Sequence, residues 1–108
     1  MDEGEFADRL GQLFAWRRKQ LPELDIPQGI ELLVWLLEHR SHRLRIGALY
    51  KASRHSDPTM RKTVKAFVQR GFARIEPDPD DARRSLLQAT PKLSSFAVEY
   101  ARRLSNLH

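Results

Sequence analysis

Five donor side chains, with no carboxylate among them, mark one short stretch near the middle of the chain. They are Thr59, Arg61, Lys62, Lys65 and Gln69. Ammonium, guanidinium, hydroxyl and amide groups donate hydrogen bonds to phosphate oxygens and to the acceptor atoms on the edges of bases. The chemistry that this stretch offers is therefore recognition of a polyanion.

Residues 56–71, which contain these donors, have the pattern of one helix with both ends encoded. Asp57 can accept hydrogen bonds from the free amides of the first turn, and Pro58 fits the first helical position. Gly71 suits the left-handed residue just past the helix end. The apolar residues fall on the other side at helical spacing: Met60, Val64, Phe67 and Val68. A reader of the DNA major groove requires such a helix, although a solvated amphipathic helix has the same pattern.

Positive charge is concentrated in the middle third of the chain. The formal net charge is +5, but residues 39–75 contain ten Lys or Arg residues and one carboxylate, a net charge of +9. Residues 1–38 carry a net charge of −4, and residues 76–108 are neutral. A localised positive field draws polyanions, of which nucleic acid is the first candidate. A basic stretch that serves only solubility is the alternative.

The composition indicates one compact domain and argues against several classes of protein. The 108 residues, 41% of them hydrophobic, suffice for a modest core. The longest apolar run, residues 32–37, is far shorter than the roughly 20 residues that cross a bilayer. Without cysteine there is no disulfide or thiolate metal site. The acidic N-terminus argues against a secretory or transit peptide, so we expect a cytoplasmic protein.

The residues before the basic stretch predict the elements that must position it. A helix is expected over residues 5–20, a proline-broken linker over 21–27, and a second helix over 27–38 that is buried nearly all round. Its core stripe is predicted to be Ile30, Leu33, Val34 and Leu37. After a polar loop, a short helix over residues 44–53 is predicted to face inward with Leu44, Ala48, Leu49 and Ala52. Two helices joined by a brief turn, the second one basic, form a helix-turn-helix.

The period changes to that of strands after the basic helix. Residues 72–76 alternate in polarity, and residues 85–89 can pair back with them across the turn formers of residues 77–84. Thr90 then caps a last helix that runs to about Leu107. The predicted fold is mainly α (α+β), a winged helix-turn-helix with a two-stranded hairpin wing and flanking N- and C-terminal helices. Residues 1–26 would support the core or a dimer, residues 27–90 would bind DNA, and residues 91–108 would dimerise.

Three local motifs in this order resemble the MarR family of winged helix-turn-helix transcriptional regulators. The helix-turn-helix spacing is matched by Leu44, Leu49 and Thr59. The end of the recognition helix is matched by Phe67, Gly71 and Phe72. The wing motif, an Asp-x-Arg followed seven residues later by Thr, is matched by Asp81, Arg83 and Thr90. The resemblance covers roughly residues 27–108.

The chain also departs from the family's pattern at four positions. Ala89 precedes Thr90 where the family usually has leucine, and Leu93 stands where glycine is common. Tyr50 stands where the family usually has alanine, and Ser53 replaces an apolar residue of the turn. The chain is short for the family, whose longer N-terminal segment joins the C-terminal helix in building the dimer.

A DNA interface follows from these elements. Arg61 is predicted to bind a guanine edge with two hydrogen bonds, whereas phosphate is the favoured partner for Lys62 and Lys65. Thr59 would face the same groove. Phosphate contacts are also expected along the first helix and the turn, from Arg43, Arg45, Lys51 and Arg54. At the wing tip, Arg83 or Arg84 would lie near the minor groove. The resemblance implies that Asp81 braces the wing arginine; a surface ion pair that holds the hairpin together is the simpler reading.

The first and last helices each carry an apolar stripe that would be a large exposed patch if left in water. The stripe of the last helix can pack against the first helix of the same subunit or of another subunit. A two-fold dimer is expected to cover the apolar surface and to involve Phe6, Leu10, Leu13, Phe14, Leu93, Phe96, Tyr100, Leu104 and Leu107. The resemblance also implies a small-molecule pocket between the dimer helices and the DNA-binding lobe, but no residue here identifies an effector.

Other functions receive little support from the sequence. The histidines His39, His42, His55 and His108 have no spacing that forces a metal site, so no metal or cofactor is expected. No glycine-rich phosphate loop, nucleophile elbow or apolar pair of carboxylates indicates catalysis, and we expect no enzyme. Two alternatives stay open: a winged helix used for protein–protein contact, and a nonspecific architectural DNA-binding protein.

Overall fold

The computed structural model describes residues 1–107, in which helices flank one small antiparallel sheet. The elements are α1 Glu3–Gln20, a 3-10 helix Pro22–Asp25, α2 Pro27–Glu38, β1 Leu44–Arg45, α3 Ile46–Ala52, α4 Asp57–Gln69, β2 Ala73–Asp78, β3 Asp81–Ala89 and α5 Pro91–Ser105. The strand order is β1-β3-β2. This is the predicted winged helix-turn-helix with flanking N- and C-terminal helices, and α2 has the predicted bounds.

The segment between α1 and α2, which the prolines predict to be a linker, is instead part of the core. Pro22 and its neighbours form the 3-10 helix, and Leu21 and Leu24 are buried. Gly29 of α2 packs directly against this turn, because a Cβ there would lie 1.8 Å from the carbonyl oxygen of Glu23. Only glycine permits that approach.

The core side of α2 differs from the predicted stripe. Leu32, Leu33 and Leu36 are buried, whereas Ile30 and Val34 are each 47% exposed. The expectation that α2 is buried nearly all round is therefore wrong as well. Because α2 has apolar residues on every side, its sequence does not show which side faces the core. The side that packs against the 3-10 helix and α4 is the buried one.

The predicted helix over residues 44–53 begins two residues later than expected. Leu44 and Arg45 are extended and pair with Leu87 and Leu86 of β3, so the sheet has three strands rather than two. In α3 only Leu49 is fully buried, and Ala48 and Ala52, both predicted to face inward, are exposed. Leu44 and Arg45, which local propensity assigned to the helix, instead form their backbone hydrogen bonds with β3.

Helix α4 has the predicted apolar side, with Met60, Val64 and Phe67 buried. Gly71 is left-handed at φ +80°. The amide of Gly71 donates to the carbonyl oxygen of Val68, and the amide of Phe72 donates to the carbonyl oxygen of Phe67 at 2.9 Å. These are the two hydrogen bonds of a Schellman motif.

The cap at the other end of α4 was predicted wrongly. Ser56, and not Asp57, is the N-cap residue, and Asp57 is the first residue of the helix itself. The Ser56 hydroxyl lies 2.9 Å from the hydroxyl of Thr59. The carboxylate of Asp57 nevertheless stands in the first turn, where the helix dipole favours negative charge.

The wing is longer and its turn tighter than predicted. Strands β2 and β3 pair from Ala73↔Ala89 to Asp78↔Asp81, which leaves two residues, Pro79 and Asp80, at the tip. The buried carboxylate of Asp78 accepts from the amide of Asp80 at 2.9 Å and so closes this turn. Residues 77–84, read as a loop from their turn formers, therefore belong mostly to strands.

Helix α5 is tied to the end of α4 at its first turn. Thr90 is the predicted N-cap, and its side chain accepts from the amide of Leu93. The same hydroxyl donates to the carbonyl oxygen of Gly71 at 2.6 Å. Lys92 Nζ donates to the carbonyl oxygen of Arg70, also at 2.6 Å. The start of α5 thus supplies donors to carbonyl groups that α4 leaves free.

The molecule is elongated, and its two longest helices, α1 and α5, pack on each other and are called the arm. The Cα radius of gyration of the molecule is 15.7 Å, and its extents are 56 × 26 × 21 Å. A compact domain of this length would have a radius of about 13 Å. Residues 1–9 of the arm are all exposed. No helix in residues 1–107 combines the length and hydropathy needed to cross a membrane.

Candidate nucleic-acid interface

The outer side of α4 carries an exposed cationic surface. Arg61, Lys62, Lys65 and Gln69 are all exposed, while Thr59 is half-buried with its hydroxyl close to Ser56. Burial of Met60, Val64 and Phe67 holds the helix down and turns these donors to solvent. Among residues 1–107, Lys62 and Lys65 take part in no ion pair or hydrogen bond of their side chains. Their charge is therefore available to an external anion.

A groove of about 580 Å³ continues this surface from α4 to the wing. Five of the residues that line it are cationic, and none is acidic: Arg45, Lys51, Arg61, Arg83 and Arg84. Helix α3 supplies one wall, α4 the second and β3 the third. A concave surface lined by one sign of charge focuses the field, which raises the local concentration of anions.

The guanidinium of Arg61 lies over the ring of Tyr50, with its Cζ 4.7 Å from the ring centroid. Tyr50 is half-buried in α3, and burial raises the pKa of its phenol, while the charge of Arg61 acts in the opposite direction. This contact was not predicted from the sequence, although Tyr50 stands where the MarR pattern usually has alanine.

The wing arginines are held by one carboxylate. Asp81 accepts from the backbone amide and from Nε of Arg83, each at 3.1 Å, and lies 3.4 Å from Nε of Arg84. The hydrogen bond from the Arg83 side chain is the largest cause of the lowered pKa of Asp81. Asp81 thus contacts both wing arginines, a contact expected both of a brace for the wing arginine and of a surface ion pair. The side chain of Arg83 is 91% exposed and extends from the wing.

Arg43 and Arg45, predicted phosphate contacts, are also paired with carboxylates of the wing. Arg43 lies 3.2 Å from Glu76, and Arg45 lies 3.2 Å from the buried Asp78. The pKa of Asp78 is lowered first by the amide of Asp80 and then by Arg45. These two pairs fasten β1 and its flanking loop to β2, so part of the charge counted in the sequence is neutralised within the protein.

Two more of the ten basic residues in residues 39–75 are paired with carboxylates and do not line the groove. Arg70 lies 2.8 Å from Glu23, and Arg74 lies 3.3 Å from Glu76. Lys51 and Arg54 are exposed at the end of α3 and in the following turn, where the backbone amide of Arg54 donates to Glu31 at 3.2 Å. Most of the positive charge without a carboxylate partner therefore lies on α3, the turn after it and the outer side of α4, and the wing adds the two arginines beside Asp81.

Three of the residues predicted to line a dimer are already covered by the chain itself. Leu13, Leu93 and Phe96 are 3%, 0% and 6% exposed, and Trp16 stacks on Phe96 at a centroid distance of 5.3 Å. The aromatic packing between α1 and α5 uses the inner side of both helices. These three residues belong to the core of one subunit and cannot form the surface of a dimer.

The outer part of the arm keeps the remaining predicted dimer residues accessible. Phe6 and Leu104 are 46% and 43% exposed. Leu10, Phe14, Tyr100 and Leu107 are half-buried. Arg9 donates to the carbonyl oxygen of Asn106 at 3.3 Å and so holds the two ends of the arm together. The apolar residues of this arm remain the candidate surface for a second subunit.

Within residues 1–107, no group of three or more His, Asp or Glu residues is placed to hold a metal ion. His55 instead lies 3.2 Å from Glu31, and Nδ1 of His39 lies 2.8 Å from the carbonyl oxygen of Trp35. His108 lies outside the described residues.

Solved structures share this fold, although the sequence matches no protein-family model and no curated protein. MepR of S. aureus in its DNA complex has a TM-score of 0.72 at 18% identity, covering 94% of this chain and 80% of that chain. MarR has a TM-score of 0.65 at 18% identity, covering 97% of this chain and 76% of that chain. PcaV of Streptomyces coelicolor, in complex with its natural ligand, has a TM-score of 0.64 at 23% identity, covering 99% of this chain and 75% of that chain. The chain therefore has the winged helix-turn-helix fold of MarR-type regulators.

Proposed function

We propose that this protein is a sequence-specific double-stranded DNA-binding transcriptional regulator of MarR-like type that acts as a homodimer. The observation that carries the proposal is the continuous cationic surface from the outer side of α4, through the groove, to the exposed Arg83 of the wing. A helix of this kind fits the major groove of B-DNA, which admits an α-helix and displays donors and acceptors that differ between base pairs.

Each element has its own part in the proposed complex. Arg61 on α4 binds base edges, and Thr59 faces the same groove. Phosphate contacts come from Lys62 and Lys65 on α4 and from Arg43, Arg45, Lys51 and Arg54 around β1 and α3. Arg83 and Arg84 place the wing at the minor groove, where a narrow groove concentrates negative potential. Asp81 holds the two wing arginines for that contact.

The solved relatives of this fold favour DNA as the partner. MepR was crystallised as a DNA complex, and MarR-type regulators recur among the structures with this fold. The arm of α1 and α5 supports the homodimer, because its exposed apolar residues would be covered by a second copy. Such a dimer would place two α4 helices about 34 Å apart, at successive major grooves.

The proposal is tested by selecting bound fragments from a pool of random duplexes and then measuring affinity against salt. We expect an enriched motif with two-fold symmetry and a linear decrease of log affinity with log salt concentration whose slope reflects several phosphates. Enrichment without a motif would instead identify a nonspecific architectural protein. Retention on an acidic protein without binding to duplex DNA would identify a protein-contact module.

Substitution of Lys65 tests whether the proposed surface binds DNA or whether any positive charge on the protein has the same effect. Lys65→Ala should weaken binding to all duplexes and lower the salt slope by about one, because one phosphate contact is lost. Lys19→Ala is the matched control, since it removes the same charge from the exposed end of α1. Equal effects of the two substitutions would contradict the proposed surface.

A further inference from the structure

The contact between Tyr50 and Arg61 joins the two helices of the helix-turn-helix at the edge of the cationic groove. Tyr50 belongs to α3 and is half-buried, whereas Arg61 stands on the exposed side of α4. Their separation of 4.7 Å between Cζ and ring centroid is that of a cation–π contact. Both residues line the groove.

Arg61 differs from the arginines that share this groove in what holds it. Arg45 is paired with Asp78, and the two wing arginines are paired with Asp81. Within the described part of the chain, Arg61 has no carboxylate partner and donates no hydrogen bond. The ring attracts the face of the guanidinium and consumes none of its five donors.

This difference matters for recognition of a base. A guanidinium in an ion pair commits some of its five donors to the carboxylate, so fewer of them are free to bind a guanine edge. A guanidinium held by a ring keeps its donors free, and the ring restricts the motion of a long side chain before DNA arrives. Restricting the bound conformation in advance lowers the entropy lost on binding.

We infer that Tyr50 is a positioning residue that holds Arg61 ready for base recognition and thereby sets part of the sequence preference. The inference rests on the proposed function and names a determinant of its specificity. Tyr50 acts through Arg61 and contacts no base itself. Asp57, one helical turn before Arg61, and Arg61 itself are the charged groups that act on the phenol of Tyr50.

The test compares Tyr50→Phe with Tyr50→Leu on the motif selected by the wild-type protein and on a random duplex. Tyr50→Phe keeps the ring and should keep the wild-type ratio of the two affinities. Tyr50→Leu keeps an apolar side chain and should lower that ratio about two- to fivefold, the fold-change of an exposed cation–π contact. Affinity for the random duplex and its salt slope should not change, because no phosphate contact is removed.

A double-mutant cycle separates positioning from folding. In an Arg61→Ala background, Tyr50→Leu should have no further effect on the affinity ratio, since the side chain that it positions is absent. A loss of similar size in both backgrounds would show that Tyr50 acts by structure alone, and the inference would be overturned. A wild-type ratio in Tyr50→Leu, or an equal loss in Tyr50→Phe, would also overturn it.

The contact itself can be checked without DNA by titrating the phenols. The chain has two tyrosines, Tyr50 and Tyr100. Arg61→Ala should raise the pKa of Tyr50 further, because the nearby positive charge that lowers it is gone. Lys65→Ala should not, which makes it the control. If the wild-type protein selects no motif, the proposed function fails; if it selects one that Tyr50→Leu preserves, only this inference fails.

Discussion

Carboxylates decide which basic side chains of this protein are available to a partner. Arg43, Arg45, Arg70 and Arg74 each lie within 3.3 Å of an acidic residue, whereas Lys51, Lys62 and Lys65 have no such neighbour among residues 1–107. A paired arginine that turns to phosphate must leave its carboxylate uncompensated, which reduces the gain. In the proposed complex, we therefore expect the unpaired lysines to contribute most to the electrostatic part of DNA binding.

The ion pairs of Glu99 on α5 give a prediction about acid stability. The guanidinium of Arg102, followed by that of Arg103, lowers the pKa of Glu99 from 4.5 to about 2. A carboxylate with a lowered pKa in the folded state stabilises the fold above its unfolded pKa, and this stabilisation is lost as the pH falls. We expect stability to decrease between about pH 4.5 and pH 2.

Urea unfolding at a series of pH values measures this effect. Glu99→Gln should reduce the loss of stability over that interval, because the variant has no carboxylate to protonate there. Glu3→Gln, an exposed position in the first turn of α1, is the control and should leave the pH profile in that interval closer to that of the wild type. Identical profiles for wild type and Glu99→Gln would contradict the assignment.

At the scale of the elements, the end of α4 depends on one backbone conformation. Gly71 is left-handed at φ +80°, and a Cβ there would meet Lys92 no closer than 3.6 Å. The obstacle to substitution is therefore the backbone and not crowding. Gly71→Ala should destabilise the fold by about 1–2 kcal/mol, the cost of a left-handed conformation for a residue with a Cβ.

Gly11→Ala is the matched control, because it makes the same chemical change inside α1, where a Cβ would meet nothing within 4 Å. It should stabilise the protein by about 0.5–1 kcal/mol through helix propensity. Thermal or urea unfolding compares the two variants. If both substitutions changed the free energy of unfolding in the same direction, the left-handed conformation of Gly71 would not be the reason that alanine is unfavourable there.

Sequence reasoning located α4 and its apolar side because local signals agree there: helical spacing, a proline at the start and a glycine at the end. It failed where tertiary contacts decide. The phase of α2 depends on what packs against Gly29, and β1 forms because Leu44 meets Leu87, which lies 43 positions away. The cationic side of α4 could be predicted, but the partners of Arg43 and Arg45 lie 33 residues downstream and leave no local trace.

At the scale of the whole molecule, the arm formed by α1 and α5 gives the proposed homodimer a specific test. Phe6→Asp together with Leu104→Asp would place two carboxylates in the proposed interface, where burial of unpaired charge is costly. We expect sedimentation velocity to show a shift from dimer to monomer at micromolar concentration. The pair should leave the core intact, since both positions are exposed in the single subunit.

Val34→Asp is the control for this shift, because Val34 is 47% exposed on α2, outside the arm. It should leave the sedimentation coefficient of the dimer unchanged. Dissociation by Val34→Asp, with no effect of the arm substitutions, would move the interface to α2.

The bonds from the first turn of α5 to the carbonyl groups of Arg70 and Gly71 have a mechanical consequence. Because Thr90 and Lys92 bond to the end of α4, we expect a tilt of α5 to move α4 with it. In a dimer joined through the arms, the angle between the two α5 helices would then set the distance between the two α4 helices. A structural change in the arms, far from the DNA, would in this way alter the spacing of the two recognition helices.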